Sequence, residues 1–203
     1  MKRIHYFLIF LSIMASVTML SSCEYIEDGQ KSMVLSGEWR GDFGMYYSYV
    51  DGRGNEYTFD SYDTYITFVP NYDYAHSGRG TQVDYYAYGP YEYMYYHFSW
   101  TVEGSIIYLW YDETSDLDTR ISDYHMTNDY LTGVFPYSGT KFRLYKLTDY
   151  YDWTPYVNTY GFHSRNNWSY SRAEAGELSD SISTTPEEGH VLSRGRRATL
   201  LKQ

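Results

Sequence analysis

One cysteine, Cys23, stands in 203 residues, so no intrachain disulfide can staple this fold. Long periodic stretches of Ala, Leu, Glu and Lys are missing, which leaves little material for long helices. A basic stripe is missing too. The first 22 residues carry Lys2 and Arg3 and no acid, and from Ser171 onward five basic residues balance five acidic ones. The section between holds 9 basic against 21 acidic residues, within a net charge of −10. Nothing there displaces the counterions of a nucleic acid, which removes that class of partner. The acid excess is read as solubility, and no cationic substrate is inferred from it.

Enzyme signatures are absent as well. G-x-S-x-G, H-E-x-x-H, P-loop and C-x-x-C patterns do not occur. His76, His97, His125 and His163 are scattered and read as packing residues. Asp112, Glu113, Asp116 and Asp118 offer oxygens suited to calcium, but the spacing is not an EF-hand. That stretch is read as an exposed acidic loop. With 26 acids, any cleft would find a carboxylate pair, so a glycosidase reading has no specific support. The expectation is no catalytic residue, no metal and no cofactor.

What the chain has is aromatic rings: 21% of its residues, with 28 tyrosines. Tyrosine suits a pleated, half-buried surface. The stretch Met94–Tyr111 reads as two strands around a two-residue turn at Glu103-Gly104. That register sets Trp100 against Ile107, Phe98 against Leu109 and Tyr96 against Tyr111, all on one apolar face, with a mixed face behind. Further strands are expected over residues 39–49, 56–69, 78–88, 119–127, 130–135 and 140–147. Turn residues separate them: Asp51–Asn55, Pro70-Asn71, Gly89-Pro90, Asn128-Asp129 and Pro136–Gly139. Gly133 is expected opposite Tyr124, whose ring would cover it.

The predicted fold is therefore all-β: about eight antiparallel strands closing into an up-and-down barrel, with an open sandwich as the competitor. The domain reading is a signal peptide over 1–22, a tether over 23–35, the barrel over 36–147 and an aromatic extension over 148–170. That extension is expected to lie along the barrel wall or cap one end. A disordered tail over 171–203 is expected last, because Tyr and Trp vanish there and Gly, Ser, Thr, Glu and Arg dominate. Arg194–Arg197 in that tail reads as a solvated basic patch.

The N-terminus reads as an address. Lys2 and Arg3 precede the apolar run Tyr6–Leu20, too short for a comfortable membrane span. Leu20-Ser21-Ser22-Cys23 resembles the bacterial lipobox, which implies a diacylglyceryl group on Cys23 and a stable outer-membrane anchor. Glu24, Glu27 and Asp28 either resemble the surface-export signal of Bacteroidota lipoproteins or form a plain acidic tether. Asp180-Ser181-Ile182 resembles the Bacteroidota O-glycosylation pattern.

Gly37-Glu38-Trp39 matches the G-x-W that opens lipocalins and related calycins, and the meander ending at Phe142–Leu147 suits them. The chain thus resembles a lipocalin-like lipoprotein of the Bacteroidota over residues 36–147. The resemblance implies that Trp39 plugs the barrel floor with Arg143 stacked across it. It implies a non-catalytic binding module for a small apolar molecule or a glycan. The alternative is an accessory of a surface complex, with a barrel filled by its own rings and an envelope protein as partner. The candidate ligand-binding residues are Tyr86, Tyr88, Tyr91 and Tyr93, around Gly89-Pro90, where flat rings with polar tips could stack on a ligand.

Overall fold

The computed structural model describes residues 27–148, 151–156, 161–165 and 189–198. Cys23, the apolar run before it and Asp180-Ser181-Ile182 lie outside those residues. Eleven strands occur among the described residues: β1 (Gly37–Asp42), β2 (Met45–Val50), β3 (Glu56–Pro70), β4 (Ser77–Tyr86), β5 (Tyr91–Glu103), β6 (Ile106–Tyr111), β7 (Thr119–Met126), β8 (Tyr130–Phe135), β9 (Thr140–Lys146), β10 (Gly161–Ser164) and β11 (His190–Arg196). Each neighbour from β3 to β9 pairs antiparallel with the next. β1 pairs with β3 on one side and β9 on the other, Trp39 facing Ile66 and Lys146. The wall closes, and the fold is the expected eight-stranded antiparallel up-and-down barrel, lipocalin-like in architecture. Closure leaves these eight strands without a free sheet edge where they pair.

Alternation puts one face of every strand inside. Trp39, Ile66, Phe68, Phe98, Trp100, Leu109, Leu131 and Leu144 are fully buried there or nearly so. β1 and β2 are one strand broken at Phe43-Gly44. Asp42 accepts a hydrogen bond from the Gly44 amide at 2.8 Å, and Gly44 takes φ +73°. Beyond this break β9 no longer follows, and β11 pairs with β2 in its place. At the same end β6 stops opposite Phe98, and β10 pairs with the start of β5. The barrel therefore has a closed floor end and a mouth whose wall is extended by two late strands.

The floor is closed by a helix, α1, over residues 27–35. That stretch was expected as tether, so the fold begins earlier than residue 36. The helix is short but useful at every turn. Asp28, Gly29, Ser32 and Leu35 form its buried face, at helical spacing. The Trp39 indole donates to the Leu35 carbonyl at 2.8 Å. No helix of the described residues is long and apolar enough to cross a membrane.

The central hairpin keeps the expected faces but shifts by one pair. Val102 faces Ile107 and Trp100 faces Leu109, so the turn is Gly104-Ser105. Gly104 takes φ +58°, and a two-residue turn needs positive φ at its first central place, which glutamate would resist. In the β7–β8 hairpin, Met126 faces Leu131 and His125 faces Thr132 as the turn predicts. A bulge then inserts Asp123, at φ +46°, and Gly133 is covered by Ile121 and Phe142 instead of Tyr124.

A second apolar cluster lies outside the barrel, on β3–β5. Tyr65, Val83, Tyr85, Tyr93 and Tyr95 are covered there by Tyr151, Trp153 and Tyr156. Tyr151 stacks on Tyr65 at 4.1 Å between centroids. Glu38 holds this segment by accepting from the Tyr151 amide and the Trp153 indole, both at 2.8 Å.

Candidate functional site: the barrel mouth

The wall strands carry a polar chain through an interior that is otherwise apolar. On β4, Asp84 and Gln82 both point inward and are fully buried, and β3 adds Thr64. The Thr64 hydroxyl donates to Asp84 at 2.6 Å, and the Gln82 amide donates to both Asp84 oxygens at 2.9 and 3.0 Å. Tyr111, from β6, donates to the Gln82 carbonyl oxygen at 2.5 Å, which fixes which way that amide points. Arg196 on β11 donates to the Tyr111 oxygen at 2.9 Å and to the Leu117 carbonyl at 3.0 Å. The chain thus runs from a guanidinium, through a phenol and an amide, to a carboxylate. Burial pushes the Asp84 carboxyl up to about 7, against the opposing pull of Thr64, Gln82 and Arg196.

Around Arg196 the mouth is aromatic. Its guanidinium carbon lies 4.4 Å from the Phe135 centroid, 5.4 Å from Phe43 and 5.6 Å from Tyr111. Arg194 lies over Tyr96 at 5.7 Å. Such contacts are worth about 2 kcal/mol or more once desolvated. Residues 190–196 therefore form a docked strand, which corrects the expectation of disorder there. Arg194 and Arg196 are not a solvated patch. The alternation Arg-Gly-Arg turns both toward the rings. The next residue, Arg197, stays at the rim. It pairs with Asp42 at 2.6 Å, and its carbonyl accepts from the Thr140 hydroxyl. Sequence reading missed β11 because its partners are distant in the chain; the alternating arginines were the available signal.

The four tyrosines singled out from sequence do not form one site. Tyr86 is inside, 2% exposed, edge-on to Tyr47 at 4.7 Å. Burial holds its phenol well above the usual range, and its hydroxyl meets no partner among the described residues. Tyr91 is half-buried at the mouth, edge-on to Tyr47 and Tyr49. Tyr93 is on the outer wall, stacked on His163 at 4.5 Å. Tyr88 is 77% exposed in the loop after β4.

At the floor, Trp39 is fully buried, and the cation over it is Lys146, 5.0 Å from the ring. Arg143 instead points outward by strand alternation and lies over Tyr130 at 5.3 Å. Lys146 is Trp39's direct partner across β1 and β9, which is why it takes the place expected of Arg143.

The acidic loop after β6 is used structurally. Asp112 pairs with Arg79 at 2.8 Å, and Glu113 accepts from the His97 amide and its ring nitrogen. Asp118 accepts from the Tyr111 amide at 2.7 Å.

Two of the grooves among the described residues open on the outside. One of about 750 Å³ runs over β8 and β9, bounded by Asp42, Asp123, Lys141 and Arg143. The other, about 360 Å³, lies between α1 and β7 beside Lys31, Tyr124 and Met126. Neither is inside the barrel.

No protein-family profile matches this sequence, and no curated protein proved similar to it. Among solved structures, a lipocalin-like protein from Bacteroides uniformis shares 14% identity, with a TM-score of 0.35. The match covers 56% of this chain and 99% of that one. At that distance it transfers no ligand and no residue role.

Proposed function

We propose that this chain is a lipid-anchored, lipocalin-like binding protein of the bacterial outer envelope. It performs no catalysis and holds a small ligand at the barrel mouth, in the space that β11 fills. The observation that carries this reading is the chain that runs inward from half-buried Arg196 through Tyr111 and Gln82 to buried Asp84. Barrel stability gives no reason for it: apolar residues of similar volume usually serve at least as well as buried polar and charged groups. A few convergent polar groups among aromatic walls are how a mostly apolar pocket orients a ligand. The ligand class that fits is an apolar body with one hydrogen-bonding or cationic head, the head taking the place of the Arg196 guanidinium.

A second reading makes the protein an accessory of a surface complex. The packed interior favours it, since the rings on the barrel axis bury one another and small barrels can be filled solid. Native mass spectrometry separates the two. The chain, and a form ending at residue 188 without β11, are exposed to a lipid and glycan library. Retention of a small molecule, stronger without β11, is the expected result. If neither form retains anything while pull-downs capture an envelope protein, the accessory reading replaces the first.

A further inference from the structure

The floor end presents an unpartnered apolar face. Ten large hydrophobic side chains are exposed among the described residues, and four of them sit at this end: Met33, Val69, Tyr72 and Tyr74. Met33 lies on the outward face of α1, and the other three lie on the end of β3 and the loop after it. Tyr72 and Tyr74 are 65% and 64% exposed.

The loop is held in place against the helix. A Cβ on Gly29 would come within 2.5 Å of the Tyr74 carbonyl oxygen, so only glycine permits this approach. Ser32 donates to the Ala75 carbonyl at 2.5 Å, and the Tyr74 amide reaches the Met33 sulfur at 3.4 Å. Tyr74 itself takes φ +63°, a region tyrosine seldom occupies. These contacts fix two rings outward on a stiff support.

Charge on α1 is largely paired within the protein. Lys31 bridges Glu27 at 3.0 Å and Asp28 at 3.5 Å, and Asp28 also accepts from the Gly104 amide. Asp73 stands between the two tyrosines. Glu103, beside the Gly104 turn that contacts α1, is exposed as well. An aromatic face with paired charges on its helix and exposed acids beside it suits the headgroup level of a zwitterionic bilayer and does not suit an anionic one.

We propose that this face rests on the membrane surface, through Tyr72, Tyr74 and Met33. The proposal depends on the lipid anchor at Cys23. Three residues, four Cα-to-Cα steps, separate Cys23 from Glu27, a reach of at most about 14 Å. So short a tether keeps the floor at the bilayer, where even a weak contact is sampled at millimolar effective concentration. The protein then stands floor down, and the mouth with Tyr88 and β11 faces away from the lipid.

The test couples the chain through its Cys23 thiol to a maleimide phospholipid in phosphatidylcholine–phosphatidylethanolamine vesicles with brominated acyl chains. Tyr74→Trp and Tyr88→Trp variants are compared with the parent. The added emission at position 74 should fall by about half, the behaviour of an interfacial ring, and that at position 88 should not change. Equal quenching at both positions, or none at either, overturns the proposal. So does quenching at 74 that strengthens when phosphatidylglycerol is added, because that would mean cationic residues make the contact. The intact mass of the chain extracted from cells reports lipid on Cys23 separately, so a missing anchor and a missing surface contact give different results.

Discussion

Two buried residues show how neighbours decide what a side chain does. Trp39 fills the floor, and truncating a ring of that size costs about 3–5 kcal/mol, readable in denaturant melts of Trp39→Ala. Lys146 lies over the ring and donates to the Val34 carbonyl at 2.9 Å. Lys146→Ala should cost about 1–2 kcal/mol, whereas Arg143→Ala, on the outer face, should stay within about 0.5 kcal/mol. Equal losses from the two would refute the assignment. Asp84 gives a pH signature. Its folded pKa of about 7 lies above the unfolded 3.8, so the folded state binds the proton more tightly. The stability from this group is complete below about pH 4 and is lost as pH rises through 7, a swing of about 4 kcal/mol. Urea midpoints between pH 5 and pH 8 should fall less for Asp84→Asn than for the parent; parallel profiles would show that Asp84 does not titrate in this range.

Elements were set by turns and by distance. The β5–β6 turn is locked from both sides of the chain. Gly104 receives Lys31 and Tyr124 on its carbonyl and offers its amide to Asp28. Gly104→Ala forces a side chain into φ +58° and should destabilise by about 1–2 kcal/mol, measured by urea melting. A smaller change would mean that the turn relaxes to another type. Among the described residues β11 is the element with the longest reach, pairing with β2 140 or more positions earlier. Ending the chain at residue 188 should speed amide exchange across β2 and leave β1 and β9 protected, since β1 keeps both its partners. Unchanged β2 exchange would show that β11 contributes no protection.

At the scale of the molecule, closure and anchoring are separate matters. Closure rests on β1 meeting both β3 and β9. The proposed anchoring rests on Cys23, and on that proposal Cys23→Ser should move the protein from the detergent phase to the aqueous phase in a partition assay while the barrel stays folded. Partition unchanged by the substitution would remove the lipid anchor and the orientation built on it. The strand order and the inward faces were legible because each depends on residues a few positions apart. Trp100 and Leu109 share a face under either turn, since the observed register differs from the expected one by an even step.

The sequence alone determined the all-β class, the eight-strand meander and which rings turn inward, because strand period and turn chemistry are local. Only the tertiary structure decided that residues 27–35 close the floor, that Lys146 and not Arg143 covers Trp39, and that Arg196 reaches toward Asp84. Those pairings join residues far apart in the chain. Their energy exists only once the wall has closed, and no local pattern encodes it.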